Sequence, residues 1–303
     1  MSTIPGNILT VWWQALRPKT LTLAITPVLV GNALAYAQQG WLYSLPVFLT
    51  LVAAIGVQVG TNLYNDAADF ERGVDGPDRI GPDRVVATGL LSAKGVYRGA
   101  HISFALAWLA GSYLMWMGGW FIFFLALFST LAGYAYTAGP RPISATPFGE
   151  LTVFLFFGVA AVVGTAYLQT GNVDLLSLQV GAMVGLPAAG VLMVNNYRDA
   201  ENDSLAGRRT LAIVAGISGS KKIFTMLMVA PYVLGGYVVY SGHKSSFWFV
   251  LPLITLISAY SIIKSFWLTP PSPLFNTILA NTAKHQMVFG LLLGLAFVLS
   301  NLY

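Results

Sequence analysis

The sequence predicts an all-α, polytopic membrane protein, with about nine transmembrane helices around a central cavity that faces the cytoplasm. Three observations carry this. First, mean hydropathy is +0.70, with 56% hydrophobic and 9% charged residues; soluble domains carry about a quarter charged. Second, segments such as 45–60 and 226–240 are continuously apolar. They lack the period-two alternation that a membrane β-barrel needs. Third, basic residues are distributed on one side of the expected spans only.

The apolar runs fall at 20–37, 45–65, 96–117, 120–137, 149–170, 176–196, 221–241, 246–266 and 284–302. Nine such spans with short loops use up the chain, so residues 1–303 read as a single membrane-embedded domain. In the last span, Gly290 and Gly294 form a small-xxx-small pair suited to helix packing. With the N-terminus inside, 15 of the 16 basic residues fall on the inner side and Lys244 alone outside. That asymmetry places the N-terminus in the cytoplasm and the C-terminus outside, in the cell (inner) membrane. No cleavable leader is expected, since the first basic residue, Arg17, follows an apolar stretch rather than preceding it. The chain has no cysteine, which excludes disulfides and thiolate metal sites. The net charge of +5 does not indicate nucleic-acid binding, because the cations are interspersed among loops rather than gathered in a patch.

Nine of the 11 acidic residues lie in two stretches that each follow an apolar run, within 62–84 and 195–210. The first contains Asn62, Asn65, Asp66, Asp69, Glu71 and Asp75, with Asp78 and Asp83 beyond; the second contains Asn195, Asn196, Asp199, Glu201 and Asp203. Carboxylates at a membrane boundary cost several kcal/mol each if unpaired, so such clusters point to a cation site. On a helix, Asn62, Asp66 and Asp69 share a face, as do Asn195, Asp199 and Asp203. Carboxylate and amide oxygens suit a hard cation such as Mg²⁺, whereas the three histidines lie away from the acids and argue against zinc. Arg84, Lys94, Arg141, Arg208 and Arg209 fall on the same side, and Arg17 and Lys19 bracket the first span. Two Mg²⁺ ions and these cations together would neutralise a departing diphosphate. Glu150 opens the fifth span, where it either caps the helix or handles a substrate hydroxyl.

In order along the chain stand Arg17-Pro18-Lys19-Thr20-Leu21, Asn65-Asp66-Ala67-Ala68-Asp69, Gly73-Val74-Asp75 and Tyr136-Thr137-Ala138-Gly139-Pro140-Arg141-Pro142. Gly149-Glu150, Asn195-Asn196-Tyr197-Arg198-Asp199 and Gly207-Arg208-Arg209-Thr210-Leu211-Ala212 follow. From about residue 12 to 220 this set resembles the UbiA superfamily of intramembrane prenyltransferases, and within it the 1,4-dihydroxy-2-naphthoate polyprenyltransferase branch. Many superfamily members have a third Asp where this chain has Gly73; Asp75, two residues on, is similar to the naphthoate branch. The resemblance implies Mg²⁺-dependent prenyl transfer from a polyprenyl diphosphate to 1,4-dihydroxy-2-naphthoate within the membrane lipid. Diphosphate and CO₂ would be lost, giving a demethylmenaquinone. Asp66, Asp69, Asp199 and Asp203 would be the catalytic metal-binding acids, joined by Asn62, Asn65, Asp75 and Asn195. Tyr136, Glu150, Asn196 and Tyr197 would serve the aromatic substrate or the developing cation. Prenylation of 4-hydroxybenzoate or homogentisate stays open as an alternative. A divalent-cation transporter is the reading from another class, although no span carries an acid at its centre, where transporters place them.

Overall fold

The computed structural model describes residues 7–74, 80–241 and 246–302; Asp75, Asp78, Arg79, His243 and Lys244 lie outside them. The described residues are helical, without strands. A short helix, α1 (Ile8–Leu16), precedes α2 (Pro18–Gln39), α3 (Ser44–Glu71) and α4 (Ala93–Ala135). Then come α5 (Gly149–Thr170), α6 (Leu175–Arg198), the short α7 (Ala200–Leu205) and α8 (Leu211–Tyr240), and finally α9 (Phe247–Leu268) and α10 (Phe275–Leu302). Eight of these are long and apolar enough to cross a membrane, which makes this a multi-pass membrane protein.

One of the eight makes two crossings. α4 has 43 residues, which as a straight helix would be roughly 65 Å long, about twice the hydrocarbon thickness. It breaks at Gly119, whose φ of 63° and ψ of −154° only glycine adopts without strain. The indole N–H of Trp108 donates to Thr130 Oγ1 at 3.0 Å, so the arms 93–118 and 120–135 fold back on each other as a hairpin. Nine crossings result among the described residues, as expected.

Helix starts differ from the sequence expectation in three places. α4 begins at Ala93, α8 at Leu211 and α10 at Phe275, where apolar runs alone put 96, 221 and 284. α4 and α10 run on past the apolar stretch, whereas in α8 the first turn is set off by a break at Gly216 (φ 65°, ψ −177°), and the spanning part begins beyond it. Lys284, expected at a boundary, is exposed on the flank of α10 instead.

α6 is the most enclosed span, with 67% of its apolar window buried. It packs against α5 where Gly158 meets Gly185: a Cβ on Gly158 would lie 2.4 Å from the Gly185 Cα. Around Gly158, residues Leu155–Ala160 widen into a π-helical turn. Gly290 and Gly294 do pack, against Thr26 and Ala33 of α2. The described parts of the long connections, 72–74, 80–92, 136–148 and 199–210, gather at the end of the bundle where α3 and α6 finish.

Candidate active site

α3 and α6 run in the same direction, so their C-terminal ends, which carry the two acidic stretches, meet at one end of the bundle. Arg208 joins them: its guanidinium lies 3.0 Å from Asp203 Oδ1 and 3.3 Å from Asp69 Oδ1. One planar fork thus spans carboxylates from both stretches. Asp66, Asp69 and Asp203 are buried, Asp66 to 1% exposure.

A cavity of about 920 Å³ begins here. Asn62, Asn65, Asp66, Asp69, Asn195, Asn196, Asp199 and Asp203 line it, with Arg17, Lys19, Arg84, Arg198, Arg208 and Tyr136. Along α3 its wall extends from Asp69 back to Thr50, roughly 28 Å at 1.5 Å per residue. Away from the acids the lining turns apolar, with Trp108, Phe156 and Phe157. It closes on Leu114, Ile122 and Leu168, a buried cluster at the α4 hairpin. One end is built for charge and the other for hydrocarbon.

The first stretch stays helical through Glu71, so Asp66 and Asp69 stand one turn apart on the same face, with Asn65 beside Asp66. Asn62 is placed differently from a ligand. Its amide N–H₂ donates to the Leu16 carbonyl and to Thr20 Oγ1, at 3.1 and 3.0 Å, while Gln58 donates to its Oδ1 at 3.3 Å. These bonds brace the α1–α2 joint, where Arg17 adopts φ 53°, uncommon for a non-glycine residue. Arg17 in turn donates to the Asn62 carbonyl at 3.4 Å. Asn65 Oδ1 accepts from Thr137, which ties the first stretch to the segment after α4.

The second stretch departs from the single helical face expected for Asn195, Asp199 and Asp203. α6 ends at Arg198, and Asp199 is a hinge (φ −95°, ψ 4°) leading into α7. Arg198, 2% exposed, explains the break. It grips Asp199 with Nε and Nη2 at 2.8 and 2.6 Å, and also donates to Asn195 at 2.9 Å and Asn276 at 2.6 Å. Asn276, in the first turn of α10, donates to the Ile80 carbonyl beyond the first stretch. Arg198 and Asn276 were not among the expected site residues. A polar side chain in the extended start of an apolar helix was the available signal for Asn276.

Five expected residues do not line the cavity. Lys94, Arg141 and Arg209 are exposed on the connecting segments and the α4 start. Tyr197 follows Asn196 but points the other way, since successive helical residues diverge by about 100°. It packs on Phe266 and Phe275, with ring centroids 4.7 and 5.3 Å away. Glu150 sits behind the wall, 4% exposed, and accepts from Asn196 Nδ2 at 2.9 Å. Burial, and then the nearby Glu150 charge, push the Tyr136 phenol up, so it stays protonated and able to donate. His101 and His285 are engaged elsewhere, against Tyr134 and Ser258.

The donor set around the cavity mouth consists of oxygens. No group of three or more His, Cys, Asp or Glu side chains converges on one point among the described residues. This fits Mg²⁺, which takes one or two carboxylates and completes its shell with water and substrate phosphate.

The sequence matches the model of the UbiA prenyltransferase family over residues 24–281. It is 30% identical to the 1,4-dihydroxy-2-naphthoate octaprenyltransferase of Bacillus subtilis (strain 168), covering 97% of this chain and 93% of that one. It is 32% identical to the enzyme of the same name from Escherichia coli (strain K12), covering 95% of each. Its fold matches a UbiA homolog from Archaeoglobus fulgidus bound to GPP and Mg²⁺, with a TM-score of 0.71, 20% identity and coverage of 95% of this chain and 99% of that chain. With motifs, cavity and fold in agreement, the chain belongs to the UbiA prenyltransferase family.

Proposed function

We propose that this protein transfers a polyprenyl group from polyprenyl diphosphate to 1,4-dihydroxy-2-naphthoate, with loss of diphosphate and CO₂, yielding demethylmenaquinol, the reduced form of demethylmenaquinone. The observation that carries this is the division of one cavity into an acidic, arginine-bearing mouth and an apolar interior. The names of the relatives at 30% and 32% identity support the choice of acceptor.

The diphosphate lies at the mouth, where Asp66, Asp69, Asp199 and Asp203 would hold two Mg²⁺ ions, with Asp75 as a further ligand. Mg²⁺ bound there would stabilise the negative charge that builds on the leaving group. Arg208, held between Asp69 and Asp203, offers its planar fork to the phosphate oxygens at the mouth; Arg17, Lys19 and Arg84 add positive charge from the other walls. The isoprenoid tail follows the apolar wall towards Leu114, Ile122 and Leu168. The C–O bond to diphosphate breaks with its electron pair leaving on oxygen, and the carboxylated ring carbon attacks the allylic carbon. CO₂ then departs, and the electrons of its C–C bond restore the aromatic ring. Residues 1–303 act as one unit in the cell membrane, with the N-terminus and acidic segments cytoplasmic and the C-terminus outside.

The test is turnover of purified protein in detergent with polyprenyl diphosphate and 1,4-dihydroxy-2-naphthoate, with and without Mg²⁺. Equal, Mg²⁺-dependent release of CO₂ and diphosphate is expected. Diphosphate release with 4-hydroxybenzoate or homogentisate alone would overturn the acceptor. Failure with every acceptor, in protein shown to be folded, would overturn the enzyme.

A further inference from the structure

Glu150 opens α5 at the back of the cavity wall. A carboxyl oxygen accepts hydrogen bonds, and Asn196 turns its N–H₂ towards Glu150, with Nδ2 2.9 Å from Oε1. An amide held this way has its carbonyl oxygen on the other side, and Asn196 is a cavity-lining residue. The neighbours are consistent with a small aromatic guest. The Tyr136 hydroxyl and Asn196 Nδ2 each lie 4.0 Å from where a side chain on Gly149 would begin, and Leu192 Cδ2 lies 3.2 Å from it. Tyr136 and Leu192 also line the cavity.

We infer that Glu150 is a positioning residue which locks Asn196 so that its Oδ1 accepts a hydrogen bond from a ring hydroxyl of the aromatic acceptor, making the site selective for hydroxyarenes. This rests on the reading of the cavity as an aromatic prenyl-transfer site and names the contact that selects the acceptor. The second carboxylate oxygen, Oε2, is buried without a hydrogen-bond partner among the described residues. It reinforces the point: this acid is kept inside the wall for something other than pairing with a cation. An unlocked Asn196 would rotate and present either its donor or its acceptor, and a hydroxyl would lose its discrimination over an ether.

The experiment compares Glu150→Ala, Glu150→Gln and the wild type on two acceptors: the hydroxynaphthoate and its O-methyl ether, which cannot donate. Release of diphosphate is followed at varied acceptor and varied prenyl diphosphate. The wild type should prefer the hydroxyl form, and Glu150→Ala should shrink that preference by about tenfold, the equivalent of one hydrogen bond. The change should appear in the acceptor KM, with the prenyl diphosphate KM within about twofold of wild type, which a general loss of structure would not produce. Glu150→Gln, the same shape, keeps an Oε1 that accepts from Asn196 and should recover most of the preference. Equal losses on both acceptors in Glu150→Ala, or a Glu150→Gln enzyme as unselective as the alanine variant, would overturn the inference. If the wild type uses a different hydroxyarene, the same hydroxyl-to-ether comparison on that acceptor tests the lock while the naphthoate reading alone fails.

Discussion

The two acidic stretches share an alphabet of Asn, Asp and Arg but are built in opposite ways. The first is the end of an unbroken helix, and its carboxylates, Asp66 and Asp69, project from it into the cavity. Asp69 pairs with Arg208, 139 residues away in sequence. The second breaks at Asp199 and brings its own arginines: Arg198 on Asp199, Arg208 on Asp203. The first stretch shares an arginine that the second supplies, and the second carries one more of its own. An internal duplication would predict equivalence, but burial imposes division of labour. Several carboxylates crowded at a low-dielectric boundary are tolerable only if enough of them carry counter-ions.

The sharpest way to break this comparison is to remove one carboxylate from each stretch. Asp66→Ala and Asp199→Ala should each lower Mg²⁺-dependent diphosphate release by about a thousandfold or more; Asp66→Ala should keep its thermal midpoint, whereas Asp199→Ala, which strips the buried Arg198 of its ion pair, should insert with a lowered one. Near-normal release by Asp199→Ala would mean that the second stretch serves only to hold arginines in place.

Arg208 is where the stretches touch, and its substitution sharpens the contrast. Arg208→Ala should cost about a hundredfold in kcat, since it deletes both the clasp and a phosphate fork. Arg208→Lys should restore only part of this, because a point charge cannot span Asp69 and Asp203 together. Full rescue by lysine, read in the same diphosphate-release assay, would reduce the role of Arg208 to plain charge.

Arg198 should act on stability first. Arg198→Ala leaves Asp199, Asn195 and Asn276 without their shared donor, and breaking a buried ion pair costs about 3–5 kcal/mol. A drop in thermal midpoint of several degrees is expected, along with lost activity. Asn276→Ala should show a smaller drop, since about 1–3 kcal/mol attends a lost buried hydrogen bond. An unchanged midpoint in Arg198→Ala would show that the α6–α10 tie carries no load.

These two residues also mark the limit of what could be read from the chain. The helical membrane class and the placing of Asp66 and Asp69 at the end of α3 followed from apolar runs and helical spacing, because those signals are local. Asn276 was out of reach: its role depends on α10 starting at Phe275 and meeting Arg198, 78 positions earlier. Asn62 looked like a ligand by spacing, yet its amide braces the Arg17 joint, a contact that helical period cannot reveal. Tyr197 sat inside a motif and still turned into the core, because its position on α6, about 100° round from Asn196, faces Phe266 and Phe275.

The smallest expected effect concerns the cations that motif order placed at the site and the fold did not. Lys94, Arg141 and Arg209 are exposed and away from the cavity wall. Exposed charges are weakened by salt, whose screening length is about 8 Å at physiological ionic strength. Alanine at each should therefore change the prenyl diphosphate KM by no more than about twofold at that salt. At low salt, where the screening length grows, the three together should raise that KM further. A loss at Arg141 alone comparable to that of Arg208→Ala would mean that the 136–148 segment closes over the diphosphate during turnover, and that counter-charge for the first stretch comes from α4 as well as from α6.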